Sequence, residues 1–177
     1  LPTYAGLLLE KEISALSKVL EDPERPLVAI IGGAKVSDKI KILAKLLPIV
    51  DRLIIGGGMA NTFLAAKGYD MQKSLVEEDK IDLAKDILNG EYAEKLVLPV
   101  DCRAASEFSN DADIKLVAAD AIPEGYQSLD IGDASIDAFV KALDGAKTIL
   151  WNGPMGVFEM SNFAIGTKAI AQAVAAT

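Results

Sequence analysis

Two short apolar runs, each leading directly into glycines, set the strongest limit on what this chain can fold into. Leu27-Val28-Ala29-Ile30-Ile31 is followed by Gly32-Gly33, and Leu53-Ile54-Ile55 by Gly56-Gly57-Gly58. A strand that is apolar at every position, not at alternate ones, needs cover on both faces. Amphipathic stretches between the runs can supply that cover. The pattern predicts strands over Leu27–Ile31, Arg52–Ile55, 95–100, 115–118 and 148–151. It predicts helices over 5–20, 36–47, 59–66, 77–88, 136–143 and 163–175. Ile40, Leu43, Ala44 and Leu47 would form the inner stripe of the helix over 36–47, and residues 101–113, rich in Ser, Asn and Asp, read as an irregular surface loop. The expected fold class is α/β: a Rossmann-like three-layer domain with a mainly parallel sheet and helices on both faces.

Composition narrows the chemistry. A chain of 177 residues with 51% hydrophobic residues has the size and balance of one globular domain. A net charge of −8 argues against nucleic acid or an anionic membrane as a partner. No apolar run reaches the length of a membrane span. There is no histidine, which removes Ser–His and Cys–His nucleophiles and imidazole metal sites. The single cysteine, Cys102, reads as a small strand residue and points to a reducing, cytoplasmic compartment. The chain opens Leu1-Pro2-Thr3 and stops at Ala175-Ala176-Thr177, so both ends are expected to be cut.

Open parallel sheets bind ligands at the carboxyl ends of their strands, where both glycine turns fall. The glycines admit two readings: tight connections, or close approach of a ligand to the backbone. Lys35 and Lys39, in "GGAKVSDKI", are spaced to project from the start of one helix, where cations oppose the helix dipole unless an anion relieves them. Lys41 and Lys45 read as solvated, and Asp38 as a local partner for lysine. Near the end, "WNGPMGVFE" offers the turn Asn152-Gly153-Pro154, with Trp151 and Phe158 as core residues and Glu159 as an acid able to accept from ribose hydroxyls. Neither a Walker A loop nor a G-x-G-x-x-G dinucleotide fingerprint is present.

In chain order, "AGLLLEKEI", "GGAKVSDKI", "GGGMANTF", "KSLVEEDK", "AIPEGYQSLDIG" and "WNGPMGVFE" closely resemble the phosphoglycerate kinase family, along almost the whole chain. The resemblance is to the carboxyl-terminal, nucleotide-binding domain of a two-domain enzyme. It implies that 1–20 is the interdomain linker helix and that the substrate-binding amino-terminal domain is absent. It also implies transfer of a phosphoryl group between 1,3-bisphosphoglycerate and ADP, giving 3-phosphoglycerate and ATP in glycolysis, with Mg²⁺ accompanying the nucleotide. Lys35 would contact the phosphoryl group in transfer, and Lys39 the nucleotide phosphates. Gly33, Gly56 and Gly57 would shape the cleft, with Leu129 beside the adenine. Asn152, Gly153 and Pro154 would lie near the phosphates, and Glu159 would hold the ribose. Ser128 replaces a glycine common in the family, and the later motif with the magnesium-linked aspartate is missing, so no metal ligand is assigned. The full-length enzyme is expected to be a monomer, and this segment alone nearly inactive. A non-catalytic nucleotide-binding module is the alternative.

Overall fold

A computed structural model describes residues 24–176. The helix expected over 5–20, with its reading as a linker, lies outside the described residues. Two sheets organise the rest. The first is parallel and four-stranded, in the order β3-β2-β1-β7. Its strands are β1 (Leu27–Ile31), β2 (Arg52–Ile55), β3 (Leu96–Val97) and β7 (Thr148–Asn152). The second is antiparallel and three-stranded, in the order β5-β4-β6. It is built from β4 (Asp101–Ala105), β5 (Ile114–Ala118) and β6 (Gln127–Ile131).

The apolar runs of β1 and β2 are explained by the layers around them. Successive strand residues face opposite sides of a sheet. Leu27, Ala29, Ile31, Leu53 and Ile55 pack with Leu43, Leu46, Met59, Phe63 and Ala84 on one face. These partners come from α1 (Ile40–Leu46), α2 (Gly57–Ala66) and α3 (Ile81–Leu88). Val28, Ile30, Ile54 and Ile149 pack with Phe139, Leu143, Ile170 and Val174 on the other. That face is covered by α4 (Asp133–Leu143) and α5 (Ile165–Ala176). Each fully buried Ile, Leu or Val contributes about 1.5–3 kcal/mol, and β1, β2 and β7 all carry such residues. Among the described residues, no helix is long and apolar enough to cross a membrane.

Several local expectations need correction. The helix expected over 36–47 opens as a 3-10 turn, Val36–Asp38, and becomes α-helical only at Ile40. The break sits at Lys39, whose ψ of 2° departs from the helical path. The buried stripe of α1 runs through Leu43 and Leu46 to Leu47, whereas Ala44 is exposed. The helix over 77–88 likewise starts with a 3-10 turn at Glu78, and the strand over 95–100 shrinks to Leu96–Val97. The stretch 101–113 is no simple loop, because its first five residues form β4, the middle strand of the antiparallel sheet. β6 escaped the sequence reading altogether. Both strands carry acids in buried positions, and those acids draw hydrogen bonds from groups distant in sequence. Asp101 accepts the Ala134 and Ser135 N–H groups at 3.0 and 2.8 Å, capping α4 from the neighbouring strand.

Candidate active site

The registers Ile31↔Ile55 and Ile31↔Asn152 bring β1, β2 and β7 to an end side by side. Their glycine turns then interlock. The Gly32 N–H donates to Asn152 O at 2.7 Å, Gly33 N–H to Pro154 O at 3.1 Å, and Gly57 N–H to Met155 O at 3.1 Å. The Gly33 carbonyl in turn accepts the Met59 N–H at 3.0 Å. Side chains have no room in this contact. A Cβ on Gly57, whose φ is +71°, would lie 2.5 Å from the Gly33 oxygen. One on Gly153, at φ +94°, would lie 2.1 Å from the Gly32 oxygen. The glycines are therefore required because backbone meets backbone. Four amides at these turns, those of Gly32, Gly33, Gly57 and Met59, are committed to these bonds.

Two lysines stand beside the turns. Lys35 is exposed and extended (φ −133°, ψ 137°), and Lys39 is the half-buried residue just before α1. They do not share a helical face, because the 3-10 turn separates them. The Lys39 ammonium donates to the Asn152 side-chain oxygen, joining the turn after β1 to the end of β7. Burial holds the Lys39 pKa below the ordinary lysine value, with the Asp38 charge offsetting part of the shift. An ammonium in that position gains from an arriving anion, which relieves the desolvation of its charge.

A cavity of about 530 Å³ opens beside these turns, in the range of small-ligand sites. Gly33, Ala34, Gly57 and Pro154 line one end. Leu75, Phe108, Leu129 and Val157 make an apolar wall elsewhere, and Glu159 also lines the space. The wall is braced from behind: Val157 N–H donates to Leu129 O at 2.9 Å, and Gly166 N–H donates to the Asp130 carboxylate at 2.9 Å. Burial pushes the Asp130 pKa up to about 6, against the Gly166 and Ile131 N–H bonds and the Arg103 charge that favour its ionised form. Arg103 Nε sits 3.7 Å from that carboxylate and finds no hydrogen-bond partner among the described residues, while Nη2 bonds Asp133 at 2.5 Å. Burial also pushes the Cys102 thiol up to about 11, consistent with an inert packing role.

A model of the phosphoglycerate kinase family matches residues 1–177. The chain belongs to that family. It is 58% identical over 175 residues to the phosphoglycerate kinase of Macrococcus caseolyticus, covering 99% of this chain and 44% of the relative. The phosphoglycerate kinase of Moorella thermoacetica is also 58% identical, over 178 residues, covering 99% of this chain and 45% of that protein. The structure of phosphoglycerate kinase from Coxiella burnetii superposes with a TM-score of 0.88 at 48% identity, over 98% of this chain and 45% of that one. The structure of phosphoglycerate kinase from Pyrococcus horikoshii gives 0.78 at 32% identity, over 94% of this chain and 43% of that one. The chain thus spans less than half the length of the relatives it matches.

Within this phosphoglycerate kinase fold, the residues singled out from sequence fall into two groups. Gly33, Gly57, Leu129, Pro154 and Glu159 line the cavity. Lys35, Lys39, Gly56, Asn152 and Gly153 do not line it; Lys39, Gly56, Asn152 and Gly153 belong to the interlocked turns beside it, and Lys35 stands one residue beyond the lining residue Ala34. Phe158, expected in the core, is half exposed and lines the cavity with Glu159. Ser128 also lines it, with its N–H donating to Ser74 Oγ at 2.8 Å. Sequence reading missed Leu75, Lys73 and Phe108 as lining residues. The first two lie in the quoted motif "KSLVEEDK", which was the available signal; Phe108 was hidden in the stretch read as a loop. Among the described residues, no group of three or more His, Cys, Asp or Glu side chains is placed to hold a metal ion.

Proposed function

We propose that this chain is the nucleotide-binding part of a two-domain phosphoglycerate kinase that moves a phosphoryl group between 1,3-bisphosphoglycerate and ADP. One observation carries the reading most directly: a single cavity has an apolar wall suited to a base and ends at glycine turns flanked by Lys35 and Lys39. In this reading adenine packs near Leu129, ribose hydroxyls donate to Glu159, and the phosphates run past Pro154 and Gly153 toward Asn152 and Lys39. Gly33, Gly56 and Gly57 shape the floor without spending side-chain volume. Lys35, further along the same turn, meets the phosphoryl group in transfer.

The chemistry suits a chain without histidine. In the ATP-forming direction an ionised ADP oxygen attacks the acyl-phosphate phosphorus. The new O–P bond forms as the bond to the carboxyl oxygen breaks, and 3-phosphoglycerate leaves as its carboxylate. No proton has to be removed from the nucleophile, so no general base is needed. Rate enhancement then comes from alignment and from cations at the equatorial oxygens. The Lys35 ammonium supplies such charge. Mg²⁺ is expected to arrive on the nucleotide phosphates. The described residues form no protein-built site for it, so no step is routed through the metal.

The phosphoglycerate would be held by a separate domain, and closure of the two would bring the reactants into line. The same reading places the enzyme in the cytoplasm as a monomer. ATP formation from 1,3-bisphosphoglycerate and Mg–ADP by the full-length protein tests it, and the 177-residue chain alone should show almost no turnover. Calorimetry with Mg–ADP and with NAD adds a second arm, in which preferential NAD binding would contradict the proposal.

A further inference from the structure

The lysine turn is held from outside itself. Val36–Asp38 is a single 3-10 turn, and Lys35 in front of it makes no side-chain cap. Orphan N–H groups at the start of such a turn need an acceptor. That acceptor is Glu77, distant in sequence. Its Oε1 accepts the Ser37 N–H at 3.0 Å, and its Oε2 accepts the Ser37 hydroxyl at 2.7 Å. Glu77 is itself anchored, since its N–H donates to Thr62 Oγ1 at 3.1 Å and Thr62 is fully buried in α2.

We infer that Glu77 is a positioning residue for Lys35, fixing through Ser37 the turn from which that ammonium is presented. The inference rests on the kinase reading above. Bonds to a carboxylate are stronger than neutral ones, and two of them on one residue fix direction as well as distance. The electrostatics agree. Burial tends to raise the Glu77 pKa, but hydrogen bonds from Ser37 and Val36 and the nearby Lys35 charge outweigh it, leaving the carboxyl below its ordinary range. Glu77 therefore acts as an anion at neutral pH. Small displacements of a group that stabilises transferring charge cost rate more than they cost binding. The signature is accordingly a change in kcat without one in KM.

The test uses the full-length protein with Mg–ADP and 1,3-bisphosphoglycerate. Glu77→Gln keeps the side chain's size but removes its charge and turns one acceptor into a donor. It should lower kcat about tenfold while the KM for ADP stays within about twofold and the melting temperature within a few degrees. Ser37→Ala, at an exposed position, removes only the hydroxyl bond and should lower kcat by a smaller factor in the same pattern. Unchanged kcat in both variants would overturn the inference. So would a parallel fall in kcat, ADP affinity and melting temperature, which marks general loosening. If the unaltered protein makes no ATP, the kinase reading fails and this inference fails with it; an active protein indifferent to Glu77 sinks the inference alone.

Discussion

The Lys39 ammonium donates to the Asn152 side-chain oxygen, so the turn after β1 is tied through its charged group to the end of β7. Since burial already lowers the Lys39 pKa, this charge sits where an anion would be welcome. Lys39→Ala should weaken Mg–ADP binding by about 10- to 100-fold, as expected for losing a charged hydrogen bond. Calorimetry would measure it. The sign for pH also follows. A bound phosphate favours the protonated form of a lysine whose pKa burial has lowered, so ADP affinity should fall at alkaline pH as Lys39 loses its proton. The Lys39→Ala protein should lack that component.

The interlocked glycines predict a contrast between two substitutions. Gly57→Ala combines a positive φ with a Cβ 2.5 Å from the Gly33 oxygen. Gly68→Ala has a positive φ, +98°, but meets none of the described residues within 4 Å. Backbone strain alone costs about 1–2 kcal/mol, so Gly68→Ala should lose about that much in urea unfolding. Gly57→Ala should lose clearly more, with about 3 kcal/mol or above as the expectation. Equal losses would mean that the turns can part without penalty.

Asp130 makes a prediction about pH and stability. Its carboxyl rises from 3.8 to about 6 in the folded protein, chiefly through burial. The folded state then holds this proton more tightly than the unfolded chain does. Its contribution is therefore most favourable below pH ~4 and is lost as pH rises toward and through ~6. The unfolding free energy of the wild type, minus that of Asp130→Asn, should fall by about 2 kcal/mol between pH 4 and 7. A flat difference would remove Asp130 as the cause.

Cys102 should resist chemistry despite lining the cavity. It is 4% exposed and its thiol is pushed from 9.0 up to about 11. Ionisation alone should slow reaction with a disulfide reagent at pH 8 by about 100-fold relative to the chain in urea. A rapid native reaction would show the thiol to be open and ionised.

The parts of this fold legible in the sequence were those governed by local apolar pattern. β1 and β2 stand out because Leu27–Ile31 and Leu53, Ile54 and Ile55 are buried on both faces of a parallel sheet. β4 and β6 did not stand out, because "DCRAA" and "QSLDI" carry Asp, Arg, Gln and Ser. Their buried acids become tolerable only when Asp101 caps α4 and Asp130 meets Gly166, and those partners lie dozens of residues away. The site followed the same division. The motifs drew attention to the glycines and lysines, but helical spacing misplaced Lys35 and Lys39, since a 3-10 turn intervenes. Glu77 was visible only as an acid opening a helix; its bond to Ser37 is a tertiary fact.

The central claim is that the Lys35 ammonium stabilises a phosphoryl group in transit beside a nucleotide held in this cavity. The decisive measurement is the steady-state rate of ATP formation from 1,3-bisphosphoglycerate and Mg–ADP by the full-length protein and its Lys35→Ala variant. The account predicts robust turnover that falls about 100-fold or more in the variant, with ADP affinity changed by no more than about threefold. Equal turnover by the two proteins would contradict it.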